Sequence, residues 1–244
     1  MASPRSGPPV LNEALIRSLI DDHATKLHDA RGDEDTFHVS DLMGCDREIW
    51  ARIRGKQMLP FGPDRLRTFV LGFRVEDFVI DAIREHTKVE EGVVATLNGW
   101  LVGHPDGVTN DAVLEVKSTE FLIDRKTWQR IVPRTAADLP LHYVIQATAY
   151  AMALQKPTAY VIVICRASGL MAVVQINLLD YQDAVYERLE RLRKLKASME
   201  FWGADLMPEP YLDPSTINAK GESWKCRYCN FGGCPKNRNP LKNA

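Results

Sequence analysis

The sequence has no long hydrophobic run, and no apolar stretch approaches the roughly 18 residues that a membrane helix needs. It also lacks an excess of charge, because the formal net charge is −1, which argues against a general polyanion-binding protein. No internal repeat is present. The opening residues, MASPRSGPPV, do not have the pattern of a secretory signal, and we therefore expect a cytoplasmic protein.

Cysteine is scarce and odd in number, with five residues in a chain of 244. Without a secretory signal this count argues against a disulfide scaffold and favours a metal site. Basic residues outnumber acidic ones in residues 47–74 and 219–244. These two segments are compatible with nucleic-acid binding, although scattered surface charge explains them equally well.

The periodicity of apolar residues predicts an α/β protein with one mixed sheet flanked by helices. Ser40 or Asp41 is expected to cap a helix that contains Cys45 and Trp50. Residues 1–10 are expected to be flexible. The predicted helices are 11–30, 65–86, 138–155 and 180–202. The predicted strands are 92–97, 100–108, 112–118, AYVIVICRA and MAVVQINLL.

Charged residues interrupt an otherwise apolar hairpin between Gly103 and Ser118. Because side chains alternate along a strand, Glu115 and Lys117 should share a face, with Asp106 opposite them. Two crowded carboxylates are best accommodated by a divalent cation such as Mg²⁺ or Mn²⁺. The alternative is a surface hairpin with an ordinary Glu/Lys pair.

A further carboxylate interrupts the apolar stripe of the helix predicted at residues 65–86. Glu76 occupies the position that continues the stripe, and sharing the cation with Asp106 and Glu115 would explain it. Alternatively, Glu76 lies at the edge of the stripe and reaches solvent or an arginine. The other stripe residues are Leu66, Phe69, Phe73, Ile80 and Ile83.

These residues, in this order, resemble the PD-(D/E)xK nuclease superfamily. The signature is Pro105-Asp106 followed by Glu115-Val116-Lys117. The pair Gln146-xxx-Tyr150, whose members share a helix face, is similar to the QxxxY motif of the RecB-like branch. Gly72-xxx-Glu76 matches the upstream helix, although many members have histidine at the position of Glu76.

Four of the cysteines extend the resemblance to the Cas4-like iron–sulfur exonucleases, some of them phage-encoded. One cysteine lies early in the chain and three lie late, which implies a [4Fe–4S] cluster joining the two ends. Four thiolates would equally suit a structural Zn²⁺. These cysteines are Cys45, Cys226, Cys229 and Cys234, while Cys165 is expected to be a buried core thiol.

The resemblance implies a restriction-endonuclease-like nuclease domain over residues 37–235, preceded by a lead and helix (1–36) and followed by a flexible basic tail (236–244). The implied activity is a Mg²⁺- or Mn²⁺-dependent DNA exonuclease in recombination, repair or CRISPR adaptation, in a prokaryotic or phage-infected cytoplasm. Single-stranded or duplex DNA ends would be its substrate, and a recombinase, helicase or integrase a possible partner. The alternative is a non-catalytic DNA-binding or assembly module with the same fold.

The resemblance also implies a role for each site residue. The metal would be held by Asp106, Glu115, Glu76 and the main-chain carbonyl of Val116, and the catalytic set would include Lys117. Gln146 and Tyr150 would position the DNA or the lysine. DNA-backbone contacts are predicted for Arg47, Arg52 and Arg54, and Trp50 and Trp224 would stack on bases or pack around the cysteines.

Overall fold

The structure is a computed structural model. It describes residues 13–29, 36–56, 58–120, 132–201, 207–212, 214, 217 and 223–236. The predicted flexible lead at 1–10 and residues 237–244 of the predicted basic tail lie outside this part of the chain. None of the helices within the described ranges combines the length and the apolar character that crossing a membrane requires.

In the part of the chain that the structure describes, five α-helices form where the sequence periodicity predicts them, with ends shifted by a few residues. The longest, α3, begins at Pro63 directly after Gly62, because proline has a φ angle that suits the first turn of a helix. The helices are α1 (Glu13–Asp29), α2 (Asp46–Ile53), α3 (Pro63–Arg84), α4 (Leu141–Ala153) and α5 (Gln182–Phe201).

The predicted cap of the cysteine-bearing helix is wrong. Helix α2 begins at Asp46, and Cys45 is the residue that precedes its first turn. Asp41 belongs to a separate 3-10 helix, Val39–Met43, where its carboxylate accepts a hydrogen bond from the main-chain N–H of His38 at 2.8 Å. Because this short helix intervenes, the chain turns at Gly44 before α2 can start.

The strands form two sheets rather than the single mixed sheet that the sequence predicts. The smaller sheet has the order β1-β3-β2, and the larger has the order β4-β5-β6-β7. The chain leaves the first sheet after Gly103 and enters the second at Gly107. The strands are β1 (Phe37–His38), β2 (Ala95–Leu97), β3 (Leu101–Gly103), β4 (Gly107–Val108), β5 (Ala112–Thr119), β6 (Thr158–Cys165) and β7 (Met171–Ile176).

Strand β5 lies inside the larger sheet and is covered on both sides. It pairs antiparallel with β4 and parallel with β6, and helix α4 connects the two parallel strands. Helices α3 and α4 both contact β5, and α3 contributes Val79 and Ile80 to a small apolar cluster with Val116 of β5. A strand covered in this way reads as a continuous apolar run, so the charged residues of β5 stand out.

Candidate active site

The register of β4 and β5 brings the two acids of the hairpin together. Gly107 pairs with Leu114, and this register places Asp106 beside Glu115. The Asp106 carboxylate accepts a hydrogen bond from the main-chain N–H of Val116 at 2.6 Å. Asp106 therefore lies opposite β5, as strand alternation predicts, and one of its oxygens is fixed by the β5 backbone.

Glu115 is an acid in a core position, with only 1% of its surface exposed. The ammonium of Lys117 forms an ion pair with its Oε1 atom. Its Oε2 atom is buried and has no hydrogen-bond partner among the residues that the structure describes. Burial raises the pKa of Glu115, and the charges of Asp106 and Glu76 raise it further, whereas Lys117 acts to lower it.

Glu76 reaches the same site from helix α3. Its charge acts on Glu115, and its side chain is half-buried, as are those of Phe69 and Phe73, whereas Ile80 is fully buried. The helix therefore presents Glu76 toward the acids of the hairpin instead of toward bulk solvent alone. Asp106 and Glu76 consequently both act on Glu115, and like charges near a carboxyl group disfavour its ionised state.

Gln146 and Tyr150 also lie together on α4. The Gln146 amide Nε2 donates a hydrogen bond to the Tyr150 hydroxyl at 3.2 Å. Burial raises the pKa of Tyr150, and Glu115 raises it further, so the phenol lies close to the acids.

The sequence pattern assigned no role to Tyr143, whose ring centroid is 5.6 Å from the Lys117 ammonium. Its spacing of three residues from Gln146 on the same helix face is the signal that could have identified it.

The ring of Tyr150 packs directly on the backbone of Gly103. A Cβ atom at this position would lie 2.5 Å from Cε1 of Tyr150 and 2.9 Å from a methyl group of Val39. Such distances are shorter than any normal van der Waals contact, so only glycine allows the smaller sheet to approach α4 here. Gly103 thus fixes where the hydroxyl of Tyr150 lies.

Replacing Gly103 by alanine should destabilise the fold. Overpacking against a buried ring costs about 1–3 kcal/mol in the free energy of unfolding, which chemical denaturation would measure. Gly72→Ala is the matched control, because a Cβ there would contact only Ser118 Oγ at 3.5 Å, and alanine is favoured over glycine inside a helix. Equal stability of Gly103→Ala and the unchanged protein would contradict this packing argument.

The early cysteine and the three late cysteines line one small cavity of about 20 Å³. Burial raises the pKa of the Cys229 thiol to about 12, and nearby Glu48 and the thiols of Cys45 and Cys234 add to the shift. Cys165 lies elsewhere as a buried core residue, as predicted, and its thiol contacts the main-chain oxygen of Glu120 at 3.1 Å. The lining cysteines are Cys45, Cys226, Cys229 and Cys234. Within the described ranges, no three His, Cys, Asp or Glu side chains are arranged to hold a single metal ion.

The three arginines predicted to follow the DNA backbone make contacts within the chain. Arg47 is buried and donates to the main-chain oxygen of Pro208 at 2.8 Å and to the sulfur of Cys234 at 3.8 Å. The guanidinium of Arg52 forms an ion pair with Asp41 at 2.5 Å, and Arg54 donates to a main-chain oxygen of α5. These contacts hold the segment around Cys45 in place, and the DNA contacts of the three arginines stay a prediction.

Trp50 is buried beside the cysteine cavity, and its ring packs edge-on against Phe231 with the centroids 6.2 Å apart. This contact favours packing over base stacking, the two alternatives that the sequence left open. The side chain of Trp224 lies outside the part that the structure describes. His104, next to Pro105, is exposed.

No family model and no curated protein matches this chain. Among solved structures, it is similar to the crystal structure of SSO0001, with a TM-score of 0.56 and 17% identity over 91% of this chain and 97% of that one. An alkaline exonuclease, LHK-Exo from Laribacter hongkongensis, aligns with a TM-score of 0.45 and 14% identity over 69% of this chain and 92% of the enzyme. The same enzyme in complex with dAMP gives the same values. The similarity to SSO0001 shows a shared fold.

Proposed function

We propose that this chain is a metal-dependent DNA exonuclease of the RecB-like PD-(D/E)xK type. The observation that carries the proposal is the buried Oε2 atom of Glu115, which lacks a hydrogen-bond partner within the described residues although the charges of Asp106 and Glu76 also act on this carboxyl group. Burying an unsatisfied carboxylate oxygen is costly unless another group binds it. A buried and unpaired carboxylate oxygen on a strand between two helices is typical of a ligand-binding site.

The donor set fits Mg²⁺ or Mn²⁺, because these cations prefer carboxylate and carbonyl oxygens. Asp106, Glu115, Glu76 and the main-chain carbonyl of Val116 would hold the ion. A bound ion would polarise the scissile phosphate and lower the pKa of a water molecule. The ion would also offset the repulsion among the acids. Because Lys117 pairs with Oε1 of Glu115, Oε2 is the oxygen of Glu115 that would bind the ion.

Lys117 would act on the reacting atoms. Its ammonium is anchored by Glu115 and lies over the ring of Tyr143, so it is held in place without being fully buried. From there it would orient the attacking water and stabilise the negative charge that develops on the phosphate. Gln146 and Tyr150, joined by their hydrogen bond, would position Lys117 or a phosphate oxygen from the α4 side.

We further propose that Cys45, Cys226, Cys229 and Cys234 hold one metal group, a [4Fe–4S] cluster or, as the alternative, a Zn²⁺ ion. Four thiols on one cavity are the ligand set that either group requires. The cationic side chains of Arg47 and Lys225 also line the cavity, where they would offset the negative charge of thiolates. The group would join the segment before α2 to the end of the chain.

The resemblance of the motifs to RecB-like and Cas4-like nucleases supports DNA ends as the substrate, in recombination, repair or CRISPR-adaptation-like processing. A recombinase, helicase or integrase would then be the protein partner. The acids and the lysine favour an enzyme over a non-catalytic DNA-binding module, because such a module needs neither a buried Glu115 nor the ion pair that it forms with Lys117.

The test is release of label from end-labelled single-stranded and duplex DNA with Mn²⁺ or with a chelator. We expect the unchanged protein to degrade the ends only with the metal, and Lys117→Ala to be at least roughly a hundredfold slower. Lys88→Ala, which removes an exposed lysine paired with Glu90, should remain as active as the unchanged protein. If the unchanged protein and Lys117→Ala released label equally slowly, the exonuclease proposal would fail.

A further inference from the structure

A second cationic group lies at the ends of the two parallel strands. Arg166 directly follows β6, and its main-chain N–H donates to the oxygen of Thr119, the last residue of β5, at 2.8 Å. Its guanidinium donates to the hydroxyl of Ser118 at 2.6 Å. Because parallel strands end at the same edge of a sheet, Arg166 lies beside the end of the strand that carries Glu115 and Lys117.

The Arg166 contact leaves its positive charge in place, since the hydroxyl of Ser118 is neutral. Burial raises the pKa of Tyr143, while Lys117 and Arg166 both act to lower it, so the phenol lies close to both cations. Arg166, Ser118 and Tyr143 are all half-buried, which leaves them accessible from solvent. Two cations and two hydroxyl groups therefore lie near one another at this end of the sheet.

We propose that Arg166, positioned by Ser118 and flanked by Tyr143, binds a backbone phosphate of the DNA strand whose scissile phosphate lies at Glu115 and Lys117. This inference rests on the proposed nuclease function and adds a substrate-binding residue to it. A planar guanidinium forms paired, charge-assisted hydrogen bonds with phosphate oxygens. Arg166 would thus be a DNA-backbone contact in addition to those predicted for Arg47, Arg52 and Arg54.

Ser118 and Lys117 are adjacent on β5, so their side chains point to opposite faces of the sheet. Lys117 and Arg166 nevertheless both act on the phenol of Tyr143, so the guanidinium of Arg166 lies at the end of the sheet, next to the face that carries Glu115 and Lys117. Arg166 would thus contact the DNA backbone beside the bond that is cut, where it fixes the register of the strand without touching the reacting atoms.

The experiment measures binding of fluorescently labelled single-stranded DNA by anisotropy, in a chelator and over a series of KCl concentrations. Arg166→Gln should bind roughly tenfold more weakly at low salt, and the slope of log affinity against log salt should fall by about 0.7. Arg166→Lys keeps the charge and should keep most of the slope. The control Arg193→Gln removes one exposed arginine paired with Glu190 on α5 and should match the unchanged protein.

The outcomes separate this inference from the function on which it rests, because binding is measured without catalysis. If Arg166→Gln kept both affinity and salt slope while Lys117→Ala lost cleavage, the phosphate site would be refuted and the nuclease retained. If the unchanged protein released no label but Arg166→Gln still lost slope, the phosphate site would stand and the exonuclease proposal would fall. If Arg166→Gln fails to fold, Ser118→Ala provides the test. If Ser118→Ala had the same DNA affinity and the same salt slope as the unchanged protein, the proposal that Ser118 positions Arg166 for a phosphate would be refuted.

Discussion

Glu115→Gln should abolish DNA cleavage while leaving the metal-free protein at least as stable as the unchanged one. Glutamine has the shape of glutamate and can still accept a hydrogen bond from Lys117, but it removes one of three crowded carboxylates. Burial and the neighbouring acids already raise the pKa of Glu115, so the charged form contributes little to the stability of the fold. We expect the rate of label release to fall at least roughly a thousandfold, because a metal ligand supplies several kcal/mol to the transition state.

Thermal melting with and without Mn²⁺ distinguishes this explanation from simple loss of folding. An ion present at 100 times its dissociation constant adds about 2.7 kcal/mol to the free energy of unfolding. Mn²⁺ should therefore raise the melting temperature of the unchanged protein and of Glu187→Gln, which alters an exposed glutamate on α5. It should have little effect on Glu115→Gln. An equal Mn²⁺-induced shift in all three proteins would show that Glu115 is not a metal ligand.

Cys226→Ser should remove the metal group of the cysteine cavity and lower the free energy of unfolding by about 3 kcal/mol or more, since metal binding is coupled to folding. The measurements are iron, sulfide and zinc content and visible absorbance after anaerobic purification, followed by chemical denaturation. Cys165→Ala is the matched control, because this buried thiol lies apart from the cavity and its loss should leave the metal content unchanged.

The two alternatives for the cysteine site give different results in that experiment. A cluster is supported if the unchanged protein is coloured and contains iron and sulfide, and if Cys226→Ser contains neither. A colourless protein with one zinc rejects the cluster but retains the four-thiol site. If Cys226→Ser and Cys165→Ala contained the same amount of metal, the proposal that these four cysteines form a metal site would be wrong.

The acidic site and the cysteine cavity are linked through helix α3. Near its start, Arg65 donates to the main-chain oxygen of Tyr228 at 2.5 Å and to the side chain of Asn230 at 3.1 Å. Its guanidinium also lies 4.5 Å from the ring centroid of Phe61. The residues on either side of Cys229 are thereby held against the helix that carries Glu76, so the conformation of the cysteine loop bears on the position of that helix.

The sequence alone determined the local relations of the acidic site. Strand alternation placed Glu115 and Lys117 on one face, and their ion pair shows that both side chains do point the same way. Helical spacing likewise placed Gln146 beside Tyr150, which their hydrogen bond shows. These relations depend only on the period of the backbone, which a short stretch of sequence already contains.

Only the tertiary structure decided relations between residues far apart in the chain. The division into two sheets depends on where the chain leaves one set of paired strands and enters the next. The alternation of side chains is the same in both sheets, so it does not reveal this boundary. The internal contacts of Arg47, the packing of Tyr150 on Gly103 and the place of Arg166 beside Ser118 each join separate elements. An arginine reads the same in sequence whether it faces DNA or a main-chain oxygen, because packing, and not the local pattern, selects its partner.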